Sequence, residues 1–134
     1  MILGIDLGAR RIGVAAADTE TRLARPVEVI DTTTADPVAR VCELIRYLRV
    51  TAVVVGRPLG LSGRPGPAVS MQQEFLARLR ASTSVEITEQ DERFTTVEAE
   101  RALRKSGAPP AARKKARDAV AAQLLLQAYL DSQP

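Results

Sequence analysis

Two short apolar runs joined by a glycine turn, followed by helical and extended segments in alternation, leave few folds open to this chain. Ile2 to Asp6 is apolar until its last residue, and Gly8-Ala9-Arg10 turns the chain. Ile12, Val14 and Ala16 then alternate toward Asp18, which reads as the second strand of a hairpin. Val27 to Ile30 reads as a third strand. Asp36-Pro37 supplies a capping side chain and a proline for the first helical turn. Val38, Val41, Leu44, Ile45 and Leu48 share one face, which predicts a helix to about Arg49. Ala52 to Val55 is apolar without alternation, as expected for a strand covered on both faces. Gly56 to Pro67, with four glycines and three prolines, reads as a loop. Met71, Gln72, Phe75, Leu76 and Leu79 fit the next helix, and Val85 and Ile87 a strand running into Asp91-Glu92-Arg93. Thr95 and Glu98 have capping-box spacing for a helix that stops at Gly107-Ala108-Pro109-Pro110. A last helix spans about Ala111 to Leu130. The order β-β-β-α-β-α-β-α-α predicts one α/β domain over residues 1–134, a mixed sheet carrying helices.

Composition narrows the chemistry more than the fold. The chain has no histidine, which removes the commonest general base and the commonest zinc ligand. Its one cysteine, Cys42, lies in an apolar helical stretch, so a thiol nucleophile lacks an imidazole partner and no internal disulfide forms. Hydrolysis must then rest on carboxylates, Lys, Arg, Ser/Thr or a hard metal ion. The cysteine usage predicts a reducing, cytoplasmic setting. No window approaches the roughly 20 apolar residues of a membrane span, and the start lacks a basic signal-like region. Hydrophobic residues make up 46% and aromatics 3%, so the core is expected to be aliphatic.

Three acidic positions stand where packing alone does not call for them. Asp6 ends one apolar strand, Asp91 and Glu92 end another, and Asp118 leads a helical face with Ala122, Leu125 and Tyr129. Functional groups gather at the carboxyl ends of strands in open α/β sheets. If the strands ending at Asp6 and at Asp91-Glu92 are neighbours, their carboxylates meet, and a helix across the sheet adds Asp118. Such carboxylates repel one another unless a divalent ion neutralises them. Oxygen ligands without His or Cys select Mg²⁺ or Mn²⁺, and a pair of such ions suits phosphodiester hydrolysis. Each acid has a structural alternative: a strand-end turn for Asp6, a helix cap for Asp91 or Glu92, a pair with Lys114 or Lys115 for Asp118. The net charge of +3 favours an anionic partner. Arg101, Arg104, Lys105, Arg113, Lys114, Lys115 and Arg117 follow one another without an intervening acid. With Arg10, Arg11, Arg57 and Arg93 they are candidates for phosphate contacts.

Gly4-Ile5-Asp6-Leu7-Gly8, followed by Arg10-Arg11-Ile12-Gly13-Val14-Ala15 and Asp18, resembles the first motif of the YqgF/RuvX family of bacterial nucleases. Gly56-Arg57-Pro58-Leu59 with Gly63 resembles its central loop, and Asp91-Glu92-Arg93 with Thr95-Thr96-Val97-Glu98-Ala99 its third motif. Lys114-Lys115, Asp118-Ala119-Val120-Ala121-Ala122 and Leu126-Gln127-Ala128-Tyr129-Leu130 resemble its last. The resemblance implies a ribonuclease H-like fold: a mixed five-stranded sheet, three antiparallel strands then two parallel, with helices on both faces. It implies a catalytic, metal-binding triad at Asp6, Glu92 and Asp118, with Asp91 as the alternative to Glu92, and two Mg²⁺ or Mn²⁺ ions. It also implies a cytoplasmic enzyme that processes the 5′ end of the small-subunit (16S) ribosomal RNA precursor, with ribosomal particles as partners. The alternative is resolution of Holliday junctions, which asks for a homodimer. Arg57 and Ala17 depart from the family pattern, which often has an apolar residue and a Ser there; neither touches the acids.

Two other classes compete. Actin-like and sugar-kinase ATPases also open with a strand and Asp-Leu-Gly, but they need two domains and far more than 134 residues. A non-catalytic RNA-binding assembly factor of the same fold is the other, and an intact triad argues against it.

Overall fold

The computed structural model describes residues 1–57, 67–91 and 110–133; residues 57, 67–69, 91 and 110–118 are described by backbone alone. Five strands are present: β1 (Ile2–Leu7), β2 (Arg11–Ala17), β3 (Ala24–Asp31), β4 (Ala52–Arg57) and β5 (Glu86–Asp91). The helices are α1 (Pro37–Tyr47), α2 (Pro67–Ser82) and α3 (Pro110–Ser132). The strands form one sheet in the order β3-β2-β1-β4-β5. β1–β2 and β2–β3 are antiparallel, while β1–β4 and β4–β5 are parallel. This is the ribonuclease H-like arrangement expected above.

The pleat sends alternate residues of each strand to opposite faces. Leu3 and Ile5 of β1, with Val53 and Val55 of β4, pack in one core with Val41, Ile45, Phe75 and Leu79 from α1 and α2. Val54 belongs to the other face, where it joins Ala15, Ala17, Ala122, Leu126 and Leu130 beneath α3. Gly4 also lies beneath α3: a Cβ there would stand 2.7 Å from the Leu126 Cβ and 3.3 Å from the Ala122 carbonyl oxygen. Glycine is what lets the helix approach β1 so closely.

Several local expectations hold. Asp36 accepts a hydrogen bond from the Val38 N–H and Pro37 opens α1. The β1–β2 hairpin closes at Leu7 and Ile12. A Cβ on Gly8 would collide with the Arg11 carbonyl oxygen, so the turn needs a glycine. Others are corrected. β3 begins at Ala24 rather than Val27, because Ala24, Arg25 and Pro26 are paired with β2 although their side chains show no strand pattern. β4 runs on through Gly56 and Arg57 by pairing with β5, and Pro67 already opens α2, so both ends of the expected loop are regular structure. Most of that loop, residues 58–66, and the helix expected from Thr95 lie outside the described residues. No helix among the described residues is long and apolar enough to cross a membrane.

Candidate active site

β3, β1, β4 and β5 all point the same way, so their carboxyl ends share one edge of the sheet. Chain direction divides at the centre of that edge. From β1 the chain turns to β2 on one side; from β4 it proceeds through α2 to β5 on the other. Pairing between β1 and β4 stops at Ile5 and Val55, beyond which β1 stays with β2 and β4 with β5. Such a switch point opens a crevice at the strand ends. Asp6 stands on its β1 side and Gly56, one step past the last paired residue, on its β4 side.

Asp6 is half-buried, and among the described residues no hydrogen bond or ion pair reaches its carboxylate. The other aspartates in turns behave differently. Asp18 accepts from the Glu20 N–H at 2.7 Å, Asp31 from the Thr33 N–H at 2.9 Å, and Asp36 caps α1. Those are the strand-end and capping roles that an aspartate ordinarily fills. Asp6 does not fill one, so the turn alternative fails for this residue.

The backbone of α3 carries position 118 toward the same edge of the sheet. The Leu130 and Gln133 carbonyls at the end of α3 accept from Arg22, which lies in the β2–β3 connection at the opposite edge of the sheet. Ala122 and Leu126 lie over Gly4 in the middle of β1. The start of α3 therefore lies toward the edge that carries Asp6. Asp118 precedes Ala122 by one helical turn, about 6 Å of rise, and Asp6 lies two strand residues beyond Gly4, about 6.6 Å. The two positions are level. The face expected from that position is buried: Ala122 and Leu125 are fully covered, and Tyr129, half-buried, packs against the cluster that holds Leu126 and Leu130.

The sequence left open whether β1 and the Asp91-Glu92 strand are neighbours; they are not, because β4 lies between β1 and β5. The separation is two strand spacings, about 9.6 Å. On the α3 face the gap is crossed at Gly56, which carries no side chain. Register places Val54 opposite Thr88 and Gly56 opposite Gln90, so even-numbered β5 positions share the face of Asp6. Asp91 pairs with Arg57 in the odd series, with Val53 and Val55. Glu92 lies outside the described residues, as do Arg93, Arg101, Arg104 and Lys105.

Arg10 is exposed at the hairpin tip and Arg11 half-buried at the start of β2, both on the edge that holds Asp6. Arg113, Lys114, Lys115 and Arg117 occupy the first two turns of α3. Thr32 ties the hairpin tip to the end of β3, its N–H donating to the Arg10 carbonyl at 2.8 Å and its hydroxyl at 3.0 Å. Hydrogen bonds from the Thr33 hydroxyl and N–H, aided by the nearby charges of Arg10 and Arg11, hold the Asp31 carboxyl below the ordinary aspartate range, against a smaller opposing effect of desolvation. A depressed folded-state pKa adds stability that is present above the ordinary value near about 4 and lost as pH falls through the lowered one. Thr33→Val is therefore expected to melt below wild type at pH 6 and to converge on it as pH drops to 3. Melting curves across that range that stay parallel count against this role for Asp31.

Sequence reasoning missed Gln72. Its amide nitrogen donates to the Gly56 carbonyl at 2.8 Å from the α2 side, fixing the end of β4 at the crevice. It is the buried polar side chain among the described residues, 2% exposed. The signal was available: Gln72 occupies the apolar stripe with Phe75, Leu76 and Leu79, and a polar residue there needs a buried partner.

The RuvX family model, described as Holliday junction resolvase, matches residues 1–132. A Chloroflexus aggregans protein named "Putative pre-16S rRNA nuclease" is 42% identical over 132 residues, covering 98% of this chain and 93% of the relative. An Anaeromyxobacter dehalogenans protein of the same name is 41% identical over 130 residues, covering 96% and 95%. Among solved structures, Thermus thermophilus RuvC in complex with a Holliday junction aligns with a TM-score of 0.58 at 19% identity, covering 96% of this chain and 92% of that one. The Fowlpox virus resolvase bound to Holliday junction DNA aligns with 0.57 at 12% identity, covering 98% and 97%. At these identities the structures speak for the fold.

Proposed function

The chain belongs to the RuvX family, and on that premise we propose that it is a metal-dependent endonuclease that trims the 5′ end of the 16S ribosomal RNA precursor. The observation that carries the reading is Asp6: a half-buried carboxylate without a partner among the described residues, at the switch-point crevice of the sheet. An unpaired carboxylate in that position costs free energy unless a cation joins it. Asp6, Glu92 and Asp118 are the residues that would hold the metal. The donor set fits Mg²⁺ or Mn²⁺, since it offers carboxylate oxygens and the chain has no histidine. Bound there, two ions would activate water and stabilise the leaving oxygen of a phosphodiester. Glu92 is preferred to Asp91, because Asp91 falls in the odd series of β5 whereas Asp6 shares the even one.

The cations hold the substrate. Arg113, Lys114, Lys115 and Arg117 stand at the amino end of α3, whose first turn has no acid. Positive side chains at the positive end of a helix dipole oppose the local preference, and departures of that kind mark functional sites. A polyanion approaching the crevice turns the unfavourable placement into a favourable one. Arg10 and Arg11 flank Asp6 from the hairpin, Arg57 closes β4, and Arg93 follows the end of β5 in sequence. The setting is the cytoplasm, with ribosomal particles as partners and residues 1–134 acting as a single domain.

Labelled 16S precursor and a synthetic four-way junction, each offered with Mg²⁺, Mn²⁺ or EDTA, test the reading. Cleavage of the precursor that stops in EDTA is the expected result. Exclusive cleavage of the junction moves the assignment to Holliday junction resolution, the activity named in the family description, for which a homodimer would be needed. Binding to precursor without cleavage under any metal leaves an assembly factor. In the same assay, replacing Lys114 and Lys115 together by Ala is expected to weaken binding of all substrates alike and to flatten the salt slope by up to ~2 units. Wild-type affinity with an unchanged slope reduces these lysines to a solvated helix face.

A further inference from the structure

The contact between α3 and the sheet sets Ala122, Leu126 and Leu130 against Ala15, Ala17, Val54 and the bare backbone of Gly4. Apolar packing is not directional, so the axial position of the helix also depends on hydrogen bonds. Among the described residues, those between α3 and the rest of the chain cluster at one place. The Gln127 carbonyl oxygen accepts from the Ala24 N–H at 2.9 Å, while its amide nitrogen donates to the Arg22 carbonyl at 3.0 Å. One turn earlier the Gln123 amide donates to the Ala24 carbonyl at 3.1 Å. The Arg22 guanidinium donates in turn to the Leu130 carbonyl, which also accepts from the Gln133 N–H at 3.2 Å, and to the Gln133 carbonyl at 2.8 Å.

Arg22 can do this because its backbone is left-handed, with φ 57°, and its N–H bonds back to the Asp18 carbonyl at 2.9 Å. Helix and turn thus grip each other in both directions. Nine residues separate Gln127 from Asp118, about 13.5 Å along a helix. Because the helix is stiff, an axial slip at the grip passes undiminished to Asp118.

We propose that Gln127, supported by Gln123 and Arg22, is a positioning residue of the active site: it sets the axial register of α3 and with it the height of Asp118 relative to Asp6. The proposal rests on the reading that these two carboxylates share a divalent ion. Catalytic geometry is steep in distance, a misplacement of about 1 Å costing as much as ~100-fold. Nothing in this grip touches substrate, and it lies at the edge of the sheet opposite the carboxylates.

The test is Mn²⁺ binding to the full chain by calorimetry, alongside cleavage kinetics and melting, at a temperature where circular dichroism shows wild-type helix content. Gln127→Leu, which keeps bulk and removes both bonds to the turn together with the one its amide donates to Asp131 within α3 at 3.1 Å, is expected to weaken Mn²⁺ binding by roughly 10-fold, the scale of residues that orient metal ligands. Its kcat should fall by a similar factor while the KM for nucleic acid holds. Gln123→Leu removes one bond and should show the same pattern more weakly, which serves if Gln127→Leu does not fold. Leu79→Ala, in the core on the other face of the sheet, is the control: it should lower the melting temperature and leave Mn²⁺ affinity unchanged. Wild-type Mn²⁺ affinity in both glutamine variants overturns the proposal. Wild-type affinity in Asp6→Asn overturns the metal reading beneath it instead.

Discussion

Asp6→Asn is expected to lower cleavage by roughly 10³-fold or more, the scale on which loss of a central catalytic group is felt, while nucleic acid binding and the fold survive. The substitution keeps the shape of the side chain and removes its charge. Because no partner among the described residues holds the Asp6 carboxylate, there is no hydrogen bond or ion pair in that set to lose. In the absence of metal, Asp6 would share the crevice with Asp118 and Glu92, and like charges brought together destabilise one another. The melting temperature of the metal-free variant should therefore equal or exceed that of wild type. Glu92→Gln and Asp118→Asn should follow the same pattern, and Asp91→Asn, from the odd series of β5, should show a smaller defect. The contrast with Asp36 makes the experiment discriminating. Asp36→Asn removes a charge that pairs with Arg78 at 3.0 Å and should leave cleavage near wild type. Cleavage retained in Asp6→Asn, or a melting temperature several degrees lower with no change in rate, would return Asp6 to a structural role.

What could be read in the sequence is what depends on neighbours along the chain. The hairpin follows from the spacing of Leu7, Gly8 and Ile12, and α1 from Asp36, Pro37 and the stripe through Leu44. Those signals act over a few residues, and they appear in the structure as expected. Strand order is different in kind. Nothing local to Ile2–Leu7 or Glu86–Asp91 specifies that β4 comes between them, so residue spacing left open whether Asp6 and Asp91-Glu92 sit on adjacent strands. The start of β3 was hidden for a related reason: Ala24 to Pro26 extend by pairing with β2, and their own side chains carry no alternation. The crevice was legible only in part. Asp6 stood out as an acid ending an apolar run, whereas the glutamines that brace the site did not. Gln72 could have been found as a polar residue in a buried stripe; Gln127 could not, because the partners that tie it to the turn are backbone groups about a hundred residues away.

Gly4→Ala is expected to be the most damaging single-methyl change available in the sheet. The added carbon would meet the Leu126 Cβ at 2.7 Å and the Ala122 carbonyl oxygen at 3.3 Å. Neither atom belongs to the movable end of a side chain; one is fixed to the helix backbone and the other is part of it. Rotamer changes cannot relieve the overlap, so α3 must back away from β1. Overpacking of this kind costs about 1–3 kcal/mol, which for a chain of this size lowers the melting temperature by roughly 3–10 °C. Truncating the neighbour should not help. Leu126 is fully buried, and Leu126→Ala opens a cavity at a cost of about 2–5 kcal/mol while keeping the Cβ that causes the clash. The double variant Gly4→Ala with Leu126→Ala should therefore be less stable than either single one. A rescue would mean that the outer part of the leucine, not the helix itself, sets the approach. Activity gives the second reading. A helix lifted at Ala122 is lifted one turn earlier at Asp118, so the folded fraction of Gly4→Ala should cleave more slowly and need more Mn²⁺ than wild type. Gly4→Ala with wild-type melting and wild-type Mn²⁺ dependence would show that α3 does not need this close approach to place its carboxylate.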